Sequence, residues 1–383
     1  MTLRHIGLMT LLMACGFLIV GQLYVTIPFV GDITSRFGVS SGSAALAGSA
    51  FGFAYAAGFL VFGPLSDRYG RRRVLGFGLI ATALATALVG VVPGFAWMLF
   101  ARAVQGFAAS TFPPTALSLV AETLPPEQRP LGVSLMSFAF LGAAPLAPFL
   151  AAQSGAGLAT IMLDLAPLYL LGAVGLVLAA RSGVTNQSAP SGTPGGGVAS
   201  LLRDPGILAA WGAATTVLFG FVCFHAGAQA LGPASIGADL QTLRLVGLPP
   251  LALTFAAAPL TRRHGAPFTA LVGLLLAALA LGFAAAGTPM VLIVASVLVS
   301  AGVALAVPGL IAMVAGRASN TNRGLALAVY SFTLFLGASI APPVAQVLAP
   351  VGTEPLWLLP TFLLVIAAIG LSIACKLRPA TAP

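Results

Sequence analysis

The sequence predicts an all-α membrane protein with twelve transmembrane helices in two pseudo-symmetric six-helix bundles. Three observations support this fold class. Of 383 residues, 59% are hydrophobic and 7% are charged, whereas soluble proteins carry about 25% charged residues. The apolar residues gather in runs of the roughly 20 residues that cross a bilayer. The second half repeats landmarks of the first. A soluble globular enzyme is excluded, because too few charges are available to cover its surface.

Each apolar run ends at a charged residue or at a cluster of proline or glycine, and each run predicts one helix. The runs are continuously apolar and do not alternate, which excludes a membrane β-barrel. The twelve predicted spans cover residues 5–29, 43–66, 74–92, 95–120, 131–152, 161–180, 207–231, 240–260, 267–286, 289–315, 325–348 and 355–375.

Lysine and arginine set the predicted orientation. Of the 17 such residues, fourteen fall on the side of both termini, Arg36 and Arg244 fall on the other, and Arg102 lies inside a span. Both termini are therefore expected in the cytoplasm, and the protein in the cytoplasmic (inner) membrane with many passes. The net charge is +9, but the basic residues are scattered between apolar runs. No nucleic-acid partner is expected, because they form no single basic face.

A polar stretch divides the chain into two domains. Residues 181–204 are rich in glycine, serine, threonine and proline, a composition typical of a flexible linker, here on the cytoplasmic side. The predicted domains are an N-terminal six-helix bundle over residues 1–180 and a C-terminal one over residues 205–383.

An internal repeat relates the two predicted bundles. A shift of 194 residues places Arg129 on Arg323 and Pro114 on Pro308. A shift of 195 aligns the loop after the second span with the loop after the eighth. Parallel six-plus-six repeats are a transporter architecture with the substrate site between the halves.

The loop after the second span carries the most specific motif, which reads Gly-Pro-Leu-Ser-Asp-Arg-Tyr-Gly-Arg-Arg-Arg over residues 63–73. In this motif the chain resembles the major facilitator superfamily, whose signature here is Gly-x-x-x-Asp-Arg-x-Gly-Arg-Arg. The resemblance implies a gate that holds the two halves together on the cytoplasmic side. It also implies a monomer that carries a small-molecule solute within the lipid bilayer. The matching residues are Gly63, Asp67, Arg68, Gly70, Arg71 and Arg72.

The chemistry of this motif suits a gate. Gly63 permits close helix approach, and the Asp67 carboxylate would accept charge-assisted bonds from the neighbouring arginines or a helix end. Such a pair can form in one state and break in another. The alternative is an ordinary positive-inside anchor, which could be the whole role of Arg71. The second-half copy has Arg262 where Asp67 aligns, so it is not expected to gate in the same way.

Two further patterns resemble the proton-driven exporters of this superfamily. Arg102, Gln105 and Gly106 match an Arg-x-x-Gln-Gly pattern in the fourth span, where the arginine is associated with proton coupling. The alternative is a structural arginine that ties helices together, since a buried arginine needs partners. In the fifth span an antiporter signature is partly kept. Pro148 remains, but every signature glycine is alanine, as at Ala147, which weakens the case for export.

Proton coupling also calls for a titratable group in the membrane. No carboxylate falls clearly at the midplane. Asp32 ends the first span and could reach Arg102, or it could be a solvated helix end. His225 lies inside the seventh span, and its ordinary pKa suits proton exchange, but a hydrogen bond between helices is an equal alternative.

Polar residues on several spans are candidates for a substrate cavity. The resemblance implies that spans one, four, seven and ten line it, and phenylalanines on those spans favour an apolar or amphipathic solute. The polar candidates are Gln22, Tyr24, Tyr55, Gln105 and Gln229. Two of them, Gln22 and Gln229, could instead face lipid headgroups. The cysteines and histidines form no metal or catalytic pattern, so neither a metal, a cofactor nor an enzyme is expected.

These observations predict a secondary active transporter that works by alternating access. Proton-coupled efflux of a drug or metabolite is the first hypothesis, with protons as the second partner. Uptake or exchange of a polar metabolite such as a sugar or amino acid is the alternative. A membrane receptor is the alternative outside transport.

Overall fold

The structure is a computed structural model that describes residues 3–181, 198–319 and 322–377. The chain divides into two compact units, Met1–Ser191 and Gly192–Pro383. The described residues contain helices and connecting turns but no strand, so the predicted all-α class is confirmed. Most of the predicted linker lies outside the described residues, and the predicted domain bounds stay a prediction. The side chains at positions 64, 67, 126, 180, 181, 198, 199 and 377 also lie outside the described set.

The first unit consists of apolar helices joined by short turns. Its described helices are α1 Leu3–Tyr24, α2 Val30–Phe37, α3 Ser41–Tyr69, α4 Arg71–Gly90, α5 Phe95–Ala109, α6 Phe112–Thr123, α7 Arg129–Gln153 and α8 Leu158–Arg181. Single 3-10 turns cover Ile27–Phe29 and Pro126–Gln128.

The second unit also consists of apolar helices joined by short turns. Its described helices are α9 Val198–Leu201, α10 Pro205–Leu231, α11 Pro233–Ile236, α12 Leu240–Val246, α13 Thr254–His264, α14 Ala266–Ala284, α15 Pro289–Arg317, α16 Arg323–Leu348 and α17 Thr353–Leu377. A 3-10 turn over Pro249–Leu253 joins α12 to α13.

Eleven helical segments of the described chain are long and apolar enough to cross a membrane. They correspond to the predicted spans except the fourth, which is divided into α5 and α6. The break falls at Ser110 and Thr111, whose hydroxyls donate to the carbonyls of Phe107 at 2.7 Å and Ala108 at 2.8 Å. Counting α5 and α6 together as one interrupted span gives the twelve that the sequence predicts.

Paired prolines lie at this interruption. Pro113 and Pro114 open α6, and each lacks the N–H that would continue the helix. The equivalent helix α15 has Pro308 in its interior and runs unbroken over 29 residues. A proline pair alone does not divide a helix, because α16 runs unbroken through Pro342 and Pro343. At the fourth span the pair follows Ser110 and Thr111, whose hydroxyls bond the carbonyls of the preceding turn.

The helix starts reproduce the internal repeat. Helices α5 and α7 begin at Phe95 and Arg129, while α15 and α16 begin at Pro289 and Arg323, in each case 194 positions later. Helices α4 and α14, like α8 and α17, begin 195 positions apart. The order of packing repeats as well. In the first unit α1 packs on α7, α3 on α5 and α4 on α8, and in the second α10 packs on α16, α13 on α15 and α14 on α17.

Candidate functional site

The motif between α3 and α4 forms a sharp turn at a glycine. Helix α3 continues through the motif to Tyr69, and Gly70 has φ +90°, a conformation that favours glycine. Directly after it, Nη1 of Arg71 lies 3.0 Å from Oε1 of Glu122 near the end of α6. Arg71 therefore joins the start of α4 to the end of α6 by an ion pair, and both the gate and the anchor stay predictions for it. Sequence reasoning missed Glu122, because a pairing between separate loops leaves no local pattern.

The remaining residues of this motif have varied environments. The guanidinium of Arg68 lies 5.6 Å from the ring centre of Tyr69, and Arg72 lies in the first turn of α4. A Cβ placed on Gly63 would meet no described atom within 4 Å, so the predicted close helix approach is not observed there. The side chain of Asp67 lies outside the described residues, and its gating role stays a prediction.

A buried polar network surrounds Arg102 in the first unit. The side chain is 0% exposed. Its Nε donates to the Ala47 carbonyl of α3 at 3.0 Å, and its Nη2 donates to the Gln22 carbonyl of α1 at 2.6 Å. Its Nη1 donates to Oε1 of Gln105 at 2.6 Å and to Oε1 of Gln22 at 3.3 Å. The Phe51 ring lies 4.6 Å from the guanidinium. This one side chain therefore connects α1, α3 and α5.

The network continues through Gln105. Its Nε2 donates to Oε1 of Gln22 at 3.1 Å and to the Thr86 hydroxyl of α4 at 2.8 Å. Nε2 of Gln22 donates to the Tyr169 hydroxyl of α8 at 2.9 Å, and that hydroxyl donates to the Leu18 carbonyl at 2.9 Å. Five helices of the unit thus meet in one set of hydrogen bonds. The amides of Gln22 and Gln105 are occupied within this set.

Helical spacing explains the pattern of these residues. Positions three and four apart lie on one face of a helix, so Arg102, Gln105 and Gly106 all face α3 and α1. A Cβ on Gly106 would lie 2.1 Å from the carbonyl oxygen of Phe51. Only glycine lets α5 come close enough to α3 for Arg102 to reach the Ala47 carbonyl.

All the groups that accept from Arg102 are neutral carbonyl or amide oxygens. Asp32 is exposed on the short helix α2 and makes none of these bonds. The predicted approach of Asp32 to Arg102 is not observed, because the 3-10 turn at Ile27–Phe29 directs α2 as a separate helix. The structure therefore holds Arg102 as a fixed positive charge among dipoles.

A cavity of about 240 Å³ adjoins this network between α1, α7 and α8. Gln22 and Ala147 line it together with Asp164. Ala147 also lies where α1 comes close, since a Cβ on Gly21 would be 3.0 Å from the Ala147 Cβ. Helix α7 runs unbroken through buried Pro148. Sequence reasoning assigned Asp164 to an outer helix end and did not connect it with Gln22.

The two tyrosine candidates lie in the core of the first unit. Tyr55 is 0% exposed, and its ring lies 5.4 Å from that of Phe51 and 4.7 Å from that of Phe59. Tyr24 is 3% exposed at the end of α1. The aromatic rings therefore pack beside the network around Arg102.

In the second unit the structure brings together His225, Gln229 and Arg244. The sequence placed Arg244 on the outer side, near the start of the eighth predicted span. In the structure it lies in α12 and is 2% exposed. Its Nη2 donates to Oε1 of Gln229 at 2.7 Å. His225 lies one helical turn before Gln229 and is 5% exposed, and its Nε2 has no hydrogen-bond partner among the described residues.

Comparison with known proteins places the chain among transporters. A family model described as Major Facilitator Superfamily matches residues 12–243 and 226–383. An uncharacterized MFS-type transporter of Bacillus subtilis (strain 168), YybF, is 31% identical over 93 residues. That match spans 24% of this chain and 23% of the relative.

Solved structures share the fold over the whole chain. A bacterial homolog of the human lysosomal transporter Spinster, in an inward-facing and unoccupied conformation, has a TM-score of 0.74 at 16% identity, with 100% of both chains covered. An occupied inward-facing structure of a bacterial Spinster homolog gives 0.72 at 17% identity and 98% coverage of both. At these identities the likeness concerns the fold.

Proposed function

The chain belongs to the major facilitator superfamily, and we propose that it exports small organic solutes across the cytoplasmic membrane in exchange for protons. Membership of the family supports transport of a solute. Export by proton exchange is the finer part of the proposal. It rests first on the resemblance of Arg102, Gln105 and Gly106 to the pattern of proton-driven exporters. In this proposal both termini are cytoplasmic, and a single chain alternates access between its two bundles.

The observation that carries the proposal is a fixed charge beside a cavity with a carboxylate. We assign the exchanged proton to Asp164 rather than to Arg102, because all three guanidinium nitrogens of Arg102 donate to neutral acceptors. Gln22 accepts from Arg102 at 3.3 Å and lines the same cavity as Asp164. Protonation of Asp164 would remove a negative charge from a cavity next to the network.

The experiment is a flux measurement in proteoliposomes with an imposed pH gradient and a broad panel of solutes. Asp164→Asn should abolish solute movement driven by the gradient, yet leave exchange of labelled for unlabelled solute intact. The matched control is Glu127→Gln, which alters an exposed acid outside the helices. Gradient-driven flux that survives in Asp164→Asn would refute the proposed proton site. Solute entry that follows the proton inward would favour uptake over export.

The receptor alternative is tested at the loop motif. In a transporter that gates through Asp67, Asp67→Asn should lower solute flux and alter exchange between conformations. A receptor without alternating access would show no flux to lose. Unchanged flux in Asp67→Asn would refute the gate while leaving transport itself in place.

A further inference from the structure

The second unit contains a buried arginine that the proposed proton chemistry does not use. Arg244 is 2% exposed. It donates from Nη2 to Oε1 of Gln229 at 2.7 Å and from Nη1 to Oε1 of Gln241 at 3.3 Å. Both acceptors are neutral amides. A guanidinium has five N–H donors, so three remain unused by described residues.

No acid of the described chain forms an ion pair with Arg244. Asp239, the acid nearest to it in sequence, begins α12 and is exposed. Its Oδ2 accepts from the backbone N–H of Thr242 at 2.7 Å and from the Thr242 hydroxyl at 2.8 Å. A buried charge without a paired counter-charge is costly. The charge of Arg244 is therefore bonded only to neutral acceptors, and Asp239 acts on it from beyond ion-pair distance.

Two other buried polar groups in this unit have unused hydrogen-bonding capacity. His225 shares a helix face with Gln229, because residues four apart lie above one another. Nε2 of His225 and Nε1 of Trp357 have no hydrogen-bond partner among the described residues. Trp357 is 0% exposed and His225 is 5% exposed. Native proteins rarely leave such groups unbonded, so both groups are available to a ligand.

Aromatic rings surround these groups. The rings of Phe221 and Phe224 lie 5.2 Å and 5.3 Å from that of His225. The Phe224 ring lies 5.4 Å from that of Trp357. A ligand that meets both the arginine and these rings needs a small anionic group on an apolar or aromatic body.

We propose that Arg244, with His225 and Gln229, binds the carboxylate of a small apolar organic acid. The guanidinium presents paired donors that suit the two carboxylate oxygens. His225 would donate from Nε2 in the tautomer that carries its proton there. Gln229 orients the guanidinium and is a positioning residue. The inference rests on the proposed function and deepens it, because it names organic acids as the solute class.

The test measures equilibrium binding of benzoate and of benzamide to the full chain in detergent, by calorimetry. Benzamide has nearly the same shape but no charge, so benzoate should bind at least about tenfold more tightly. Arg244→Gln should remove this preference and leave benzamide unchanged. Arg36→Gln is the matched control, since Arg36 is an exposed arginine of the first unit, and it should bind benzoate as the wild type does.

Three results would overturn the proposal. They are equal affinity of the wild type for both probes, no benzoate binding at millimolar concentration, and unchanged benzoate affinity in Arg244→Gln. If the Arg244→Gln variant does not fold, binding of the same two probes to His225→Phe provides a second test. It should weaken benzoate binding several-fold and leave benzamide binding in place, and equal loss for both probes would count against the site.

The two proposals fail separately in these experiments. Binding in detergent needs no gradient, so a protein without proton-linked flux can still prefer benzoate. Conversely, gradient-driven flux that depends on Asp164, together with no benzoate preference, would refute only the organic-acid site.

Discussion

The two units join equivalent helices by different chemistry. In the first, Arg102 of α5 donates to the Ala47 carbonyl of α3 at 3.0 Å. At the position 194 residues later, Ser296 of α15 donates to the Leu243 carbonyl of α12 at 2.6 Å. A charged link and a neutral link thus hold the same pair of spans. The repeat keeps the places where helices meet and lets the side chains that join them change.

The buried charge has moved between helices in the two units. Arg102 is on the fourth span and bonds Gln22 of the first, while Arg244 is on the eighth and bonds Gln229 of the seventh. Arg102 has acceptors for all three of its nitrogens, whereas Arg244 has acceptors for two. The first unit contains a closed network. The second contains an arginine with N–H groups that no described residue accepts. This difference indicates a stabilising role for Arg102 and a binding role for Arg244.

Removal of the charged link should have the largest effect. Arg102→Ala should lower the free energy of unfolding by at least about 3 kcal/mol, because hydrogen bonds to a charged group contribute roughly 1.5–3 kcal/mol each. Denaturant or thermal unfolding in detergent measures it. Ser296→Ala is the matched change and should cost about 1 kcal/mol. Equal losses in the two variants would contradict the contrast between the units.

Loss of close helix approach should have the next largest effect. In Gly106→Ala the new Cβ would lie 2.1 Å from the backbone oxygen of Phe51, so α5 must move away from α3. We expect a loss of about 1–3 kcal/mol in unfolding free energy. Gly76→Ala is the control, because a Cβ there meets no atom within 4 Å, and it should leave stability equal or raise it. An unchanged free energy of unfolding in Gly106→Ala would show that the hydrogen bonds of Arg102 do not depend on this close helix contact.

Removal of a helix cap should have a smaller effect on stability, and for one of two caps the effect should depend on pH. Asp239 caps α12, and hydrogen bonds from Thr242 hold the pKa of its carboxyl below the ordinary 3.8. Since the folded-state pKa is lowered, its contribution is present above the unfolded value and is lost as pH falls through the folded one. Asp239→Ala should cost about 1 kcal/mol at neutral pH. Ser40 caps α3 by its hydroxyl, so the loss in Ser40→Ala should not change over that acidic range. The same acid dependence in both variants would exclude the cap as its source.

The weakest expected effect concerns the exposed ion pair of the first unit. Arg71 and Glu122 are 16% and 29% exposed, and such pairs contribute about 0.5 kcal/mol. A double-mutant cycle of Arg71→Gln and Glu122→Gln should give a coupling energy of this size that falls with added salt. In the second unit Arg317 lies 3.8 Å from Asp204, the cap of α10. A coupling for Arg317 and Asp204 larger than that for Arg71 and Glu122 would indicate that the longer distance is compensated by burial.

Local spacing made part of the candidate site predictable. Arg102, Gln105 and Gly106 share a face because the helix repeats every 3.6 residues, and in the structure they lie together. Gln22 is 80 positions from Arg102 in sequence, and no local pattern reveals which distant helix it meets. The eighth predicted span includes Arg244, but its burial beside Gln229 of α10 could not be predicted from that local pattern. The contact of Glu122 with Arg71 could not be predicted for the same reason as the contact of Gln22 with Arg102. Both contacts depend on tertiary packing between helices that are distant in sequence.

The interruption of the fourth span has a consequence for how the first unit deforms. Ser110 and Thr111 separate two short helices. The hydrogen bonds of Arg102 hold α5 but not α6. A helix without such bonds changes its tilt at a lower free-energy cost than a helix that has them. We therefore expect the end of α6 near Arg71 to change its position more readily than the interior around Arg102. Its counterpart α15 is continuous, and we expect it to move as one helix.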